Sequence, residues 1–168
     1  LLSTGGYVLV PHSVAADPGR SASHNSRVSI ATGDTRRSLT ARVLEPLRSD
    51  IESGVAGKQI FIKVNLVDFN NSLANTHVET LQGLLDFLSP LTERTIIIGE
   101  STAAAQTTNE CFEKFGYPVL EKEFNVQLLD TGLGPYTQVN WIKDYLNQTS
   151  YPYITSHVID PTKYCISL

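Results

Sequence analysis

The sequence lacks several features on which a functional assignment often rests. It contains no methionine, and no apolar run approaches the roughly 20 residues of a membrane-spanning helix. Its 13 basic and 17 acidic residues form no block of either sign, so the electrostatic footprint of a nucleic-acid-binding protein is missing. We therefore expect a soluble protein that binds neither membranes nor nucleic acid. The compartment stays open at this point, with the cytoplasm favoured.

Cysteine is also scarce, and the common catalytic motifs are missing. Cys111 and Cys165 lie far apart, without a C-x-x-C pair or a cluster of His, Asp or Glu at metal-ligand spacing. We therefore expect two reduced thiols, no metal site and no cofactor within this chain. No Walker A, G-x-G-x-x-G, G-x-S-x-G or H-E-x-x-H motif is present. Any chemistry has to be inferred from the fold and from single polar residues.

Composition divides the chain of 168 residues into two parts. Residues 1–26 are rich in Ser, Ala and Gly and have no periodicity, which predicts a flexible leader or linker. Residues 27–168 are predicted to form a single α/β domain. Because methionine is absent and the chain ends within an apolar run, we expect a fragment or processed chain, incomplete at its C-terminal end.

Strand-like and helix-like segments alternate from residue 27 onwards. Strands are predicted in "RVSIATGD", "QIFIKVNLV", "TIIIGES" and "FNVQLLDTG". This alternation predicts a mainly parallel sheet flanked by helices, a Rossmann-like three-layer α/β sandwich. Near residues 135–160 we expect an antiparallel β-insertion, although "YTQVNWIKDYLN" also fits a helix. The closing "DPTKYCISL" predicts one helical turn that leads into a last strand.

The helices between these strands have recognisable start signals. Asp34 can cap the first helix, which Pro46 is expected to kink or divide. The second and third helices open on a capping box, a Thr followed three residues later by Glu: Thr76 with Glu79, and Thr107 with Glu110.

Polar residues recur where the predicted strands end, which is the edge where open α/β sheets bind ligands. The predicted ligand-binding residues are Lys63, Asn65, Gly99, Glu100 and Ser101, and the candidate catalytic carboxylates are Glu100 and Asp130. Lys63 and Asn65 lie two residues apart and should therefore share a face. Structural alternatives remain open: Lys63 could extend into solvent, Asn65 could hold its own loop, and Asp130 could cap a turn.

Six segments in order resemble the domain of unknown function 362 family: "GKQIFIKVNLV", "THVETLQGLLDFL", "TIIIGES", "TNECFEKFGY", "FNVQLLDTG" and "VIDPTKYCISL". The resemblance covers residues 27–168. It implies that Lys63 and Asn65 match the family's Lys-x-Asn pattern and Gly99 and Glu100 its Gly-Glu pattern, while Tyr117 matches an aromatic after a helix-ending glycine. In the family the last strand continues into a Pro, Lys and His segment, which this chain ends before reaching.

Two functions are compatible with this resemblance. In the first, the domain binds a small polar or anionic ligand at the carboxyl ends of the strands, as a ligand-binding protein or a redox-linked enzyme. In the second, it is a non-catalytic scaffold that docks another subunit or an iron-sulfur electron-transfer module, because family members are sometimes joined to such modules. A 4Fe-4S cluster would then belong to a missing or separate module.

Overall fold

The structure, a computed structural model, describes residues 7–10, 26–33, 35–138 and 153–168. In chain order its strands and α-helices are β1 (Tyr7–Val10), β2 (Ser26–Ser29), α1 (Arg36–Leu44), α2 (Arg48–Val55), β3 (Gln59–Lys63), α3 (Val78–Leu88), β4 (Ile96–Glu100), α4 (Thr108–Lys114), α5 (Pro118–Glu123), β5 (Val126–Asp130), β6 (Tyr136–Gln138), β7 (Tyr153–Thr155), α6 (Ser156–Ile159) and β8 (Lys163–Ser167). None of the helices in these ranges is both long and apolar enough to cross a membrane.

A four-stranded parallel sheet, in the order β5-β4-β3-β8, forms the centre of the fold. Its register aligns Lys63 with Gly99 and Glu100 with Asp130. Because the four strands run in the same direction, their carboxyl ends meet at one edge of the sheet. The predicted α/β fold with a parallel sheet is therefore confirmed.

The two faces of the sheet have different coverings. Ile60, Ile62 and Ile98 belong to the main hydrophobic core, which they form with apolar residues of α3, α4 and α5. Phe61 alternates to the opposite face, where its buried ring stacks on His157 of α6 with the ring centroids 5.4 Å apart. Helices consequently flank the sheet on both sides.

Two small antiparallel sheets accompany the parallel one. β6 pairs with β7, which confirms the predicted antiparallel insertion. The alternative helix over "YTQVNWIKDYLN" is wrong for Tyr136–Gln138, which form β6, and the rest of that segment lies outside the described residues. β1 pairs with β2, so four residues of the predicted leader form a strand, and β2 does not join the parallel sheet as the alternating pattern predicted. The division of the chain at residue 26 stays a prediction.

The start of the first helical segment differs from its prediction in one residue. Thr35, rather than Asp34, is the N-cap of α1, because its side chain accepts a hydrogen bond from the N–H of Ser38. Asp34 itself lies outside the described residues. Pro46 lies in a 3-10 turn, Glu45–Leu47, that separates α1 from α2, and the predicted division of this segment is confirmed.

Of the two predicted capping boxes, one forms. The box at Thr107 and Glu110 is confirmed: Thr107 Oγ1 accepts from the N–H of Glu110 at 3.2 Å, and Glu110 Oε2 accepts from the N–H of Thr107 at 2.8 Å. The N–H and the hydroxyl of Thr107 both donate to the Glu110 carboxylate, which holds the pKa of Glu110 below its ordinary value. The predicted box at Thr76 is wrong, since the N-cap of α3 is His77, whose Nδ1 accepts from the N–H of Glu79 at 3.2 Å.

Candidate functional site

Glu100 ends β4 at the carboxyl edge of the sheet and is nearly buried, with 6% of its surface exposed. Its Oε2 accepts from Lys63 Nζ at 3.0 Å and from the N–H of Leu66 at 3.3 Å. Its Oε1 accepts from the N–H of Ser101 at 2.8 Å. Three donors, one of them charged, thus compensate the carboxylate for its lost hydration.

The structure therefore brings the predicted residues Lys63 and Glu100 together. The ammonium group of Lys63 also donates to the carbonyl of Val64 at 2.9 Å, and its side chain is 43% exposed. Both partners are engaged with each other and with the main chain, so the pair joins the ends of β3 and β4 and fixes the chain that follows them.

Asn65 lies beyond the end of β3 and contacts its own loop instead of the Lys63–Glu100 pair. Its side-chain Nδ2 donates to the carbonyl of Ala74 at 2.8 Å. Its N–H donates to Thr76 Oγ1 at 2.9 Å, and its carbonyl accepts from the N–H of Thr76 at 2.8 Å. These bonds close residues 65–76 into a compact loop and explain why Thr76 does not cap α3.

Tyr117, which directly follows Gly116, supports the same loop from the core. Its ring is fully buried and its hydroxyl donates to the carbonyl of Thr76 at 2.6 Å. Burial raises the pKa of Tyr117 above its ordinary value, and the negative charge of Glu100 adds to this effect. Tyr117 is therefore a neutral donor that holds Thr76 in place.

The other predicted site residues lie further along the same edge. Gly99 is a point of close packing, because a Cβ there would lie 2.6 Å from Phe61 Cε2. Asp130 caps a turn, with Oδ1 accepting from the N–H of Gly132 at 2.8 Å. Ser101 lies beside this turn, since a Cβ on Gly132 would be 2.8 Å from Ser101 Oγ. Their ligand-binding and catalytic roles stay predictions.

A cleft of about 400 Å³ opens beside the loop that Asn65 holds. It is lined by Arg36, Ser72, Leu73, Asn75, Thr76, His77, Thr80 and Leu168. Leu168 follows β8, and its N–H donates to the carbonyl of Lys63 at 3.0 Å, which places the cleft at the carboxyl ends of β3 and β8. None of the predicted ligand-binding or catalytic residues lines the cleft. Lys63 and Asn65 instead lie next to residues that do.

Arg36 reaches this cleft because α1 packs across α3. At the crossing, a Cβ on Gly83 would lie 2.3 Å from the carbonyl oxygen of Arg37, so only glycine fits without a shift. Arg37 then pairs with Asp86 of α3 through two bonds of 2.6 and 2.8 Å. Arg36 itself makes no ion pair or side-chain hydrogen bond within the described ranges.

Comparison with known proteins identifies the family. The model of a family described as a domain of unknown function (DUF362) matches residues 60–160. The chain belongs to the DUF362 family. No curated protein and no solved structure matches the chain.

The DUF362 match includes the loop held by Asn65, the Lys63–Glu100 pair and the turn at Asp130. Two residues that line the cleft, Arg36 and Leu168, fall outside the matched range. The family match therefore indicates only part of the lining of the cleft. A helix start could be predicted near residue 77, but Arg36 comes from a helix far away along the chain.

The two thiols of this DUF362 domain lie in different surroundings. Cys111 is buried and its thiol contacts Thr102 Oγ1 at 3.6 Å, while Cys165 is exposed on β8. Although Cys165 is exposed, the atoms around its thiol displace some water and raise its pKa, with the charge of Lys63 acting in the opposite direction. In the part of the chain that the structure describes, no group of three or more His, Cys, Asp or Glu residues could hold a metal ion.

Proposed function

We propose that this domain binds a small polar or anionic ligand at the carboxyl edge of its parallel sheet, in the cleft between α1, α3 and the loop 65–76. The observation that carries the proposal is a cavity of about 400 Å³ at that edge, bordered by Arg36 and His77. Its size lies within the range of small-molecule sites, and the ends of parallel strands are where open α/β folds place their ligands.

The predicted site residues have a supporting role in this proposal. Asn65 fixes the loop that forms one wall of the cleft, and Glu100 holds Lys63 and the start of the same loop. Lys63, whose ammonium group is paired with Glu100, keeps 43% of its side chain exposed near this edge. We assign ligand binding to this cleft.

The proposal can be tested by nuclear magnetic resonance on the ¹⁵N-labelled chain. Benzoate, phenyl phosphate, benzamide and benzylamine serve as anionic, neutral polar and cationic probes. We expect saturable shifts of the His77 and Thr80 amide signals with polar or anionic probes, and none at Thr108. A Ser72→Trp variant, which fills the cleft, should weaken binding. The matched control Ser49→Trp, on the exposed surface of α2, should not. If no probe shifts the signals of the cleft, the proposed function is refuted.

We also propose that any iron-sulfur cluster associated with this domain is bound by a separate module. The chain has two cysteines on different elements, one buried and one exposed, whereas a typical cluster requires about four thiolates. Both thiols being free is compatible with the reducing cytoplasm, where we place the protein. Anaerobic reconstitution with ferrous iron and sulfide should leave the chain colourless. A stoichiometric cluster that is lost in Cys111→Ser would contradict this proposal.

A further inference from the structure

We propose that the ligand of this cleft carries an oxyanion, a carboxylate or phosphoryl group, joined to an apolar portion. This inference rests on the proposed function and names the chemistry of its ligand. It follows from which donors, acceptors and apolar surfaces of the cleft are already engaged by the protein and which are not.

Arg36 supplies the first argument. The other arginines of α1 and α2 are engaged: Arg37 with Asp86, Arg42 with the carbonyl of Thr32, and Arg48 with Glu45. Arg36 alone among these has no partner in the described parts of the chain, and it is the one at the cleft. A guanidinium group presents a planar fork of donors that matches carboxylate and phosphoryl oxygens.

His77 supplies a second donor through its tautomer. Its Nδ1 accepts a hydrogen bond from the N–H of Glu79 at 3.2 Å, and an accepting nitrogen cannot carry a proton. In the neutral ring the proton is therefore on Nε2, which is a donor. Thr76 is similar: its Oγ1 accepts from the N–H of Asn65, which leaves the hydroxyl hydrogen to be donated elsewhere.

Anionic acceptor side chains are missing from the residues that line the cleft. Asn75 is the one side-chain amide in its lining, and its Oδ1 already accepts from the N–H groups of Val67 and Asp68. Its Nδ2 donates to the carbonyls of Asp68 and Asn71. No Asp or Glu side chain is among the residues that line the cleft. A cation would therefore find no Asp or Glu side chain there, whereas an oxyanion would find Arg36 and His77.

The apolar part of the ligand follows from Leu73 and Leu168. Leu73, which is 86% exposed, and Leu168, which is 38% exposed, both line the cleft. An apolar group joined to the oxyanion would cover these surfaces and gain about 25 cal/mol for each Å² removed from water. An inorganic anion would make the polar contacts alone, so we expect it to bind more weakly.

The test compares probes that separate the two parts. Phenyl phosphate and benzoate carry both the oxyanion and the apolar group, inorganic phosphate and acetate carry the oxyanion alone, and benzyl alcohol carries the apolar group alone. We expect phenyl phosphate or benzoate to bind most tightly, and the stronger of the two identifies the oxyanion. Arg36→Ala should weaken that binding by about tenfold or more, as expected for the loss of a charge-assisted hydrogen bond.

Three variants make the result decisive. Arg36→Lys should restore part of the affinity, because it returns the charge without the fork. Arg94→Ala, which removes an exposed arginine outside the cleft, should change nothing. Leu73→Ser should weaken phenyl phosphate but not inorganic phosphate. If probes bind the cleft and Arg36→Ala binds them equally well, the oxyanion inference is overturned while the proposed function stands. If no probe binds the cleft, both fail.

Discussion

Replacing Glu100 by Gln tests whether its carboxylate organises the carboxyl edge of the sheet. The change keeps the shape of the side chain but replaces one acceptor oxygen by an NH₂ donor. In the wild type, Oε2 of Glu100 accepts from Lys63 and from the N–H of Leu66, and Oε1 accepts from the N–H of Ser101. In either orientation of the amide, at least one of these donors would face another donor.

The size of the effect depends on which donors can return to water. Lys63 is 43% exposed and can be hydrated again, so losing this partner costs little. The N–H groups of Leu66 and Ser101 are main-chain donors beside a carboxylate that is nearly buried, and an unsatisfied buried donor costs about 1 to 3 kcal/mol. For a domain of this size that corresponds to a fall in Tm of about 2 to 12 °C.

The assay is thermal and urea denaturation of the variant beside a matched control. Glu113→Gln removes an exposed carboxylate of α4 that has no side-chain partner in the described residues, so it should change the free energy of unfolding by less than about 0.5 kcal/mol. A Glu100→Gln protein as stable as the wild type would refute the reasoning, because it would show that the three donors need no anionic acceptor.

Two further changes probe the faces of the sheet. Gly99→Ala should lower the free energy of unfolding by about 1 to 3 kcal/mol, because the new Cβ would lie 2.6 Å from the ring of Phe61. The double variant Gly99→Ala, Phe61→Leu should recover part of this loss, and urea denaturation measures both changes. Burial lowers the pKa of His157, and the positive charge of Lys163 lowers it further. Folding therefore favours the neutral ring, so the free energy of unfolding should decrease as the pH drops below about 6.5. His157→Phe, which keeps the stacking, should reduce that fall between about pH 7 and about pH 5; an unchanged pH profile would exclude His157 as its source.

The features that could be predicted correctly depend only on residues close together in the sequence. The capping box at Thr107 and the break at Pro46 need only their own segments, and both are confirmed. The box at Thr76 failed because the N–H of Asn65 occupies the hydroxyl of Thr76, a contact between positions separated by a whole loop. The strand predicted after residue 26 was found, but its partner β1 could not be predicted, since pairing is a property of two distant segments.

The position of Arg36 at the cleft also depends on a contact between distant segments, and that contact is made at Gly83. Gly83 lies inside α3, where glycine costs about 1 kcal/mol relative to alanine in an isolated helix. That cost is compatible with a stable fold because α1 packs so closely that a Cβ would lie 2.3 Å from the carbonyl oxygen of Arg37. A glycine in the interior of an apolar helix therefore indicates that another backbone crosses it there. It does not indicate which backbone. The position of Arg36 at the cleft thus depends on a residue that does not line it, and no local pattern near Arg36 reveals this dependence.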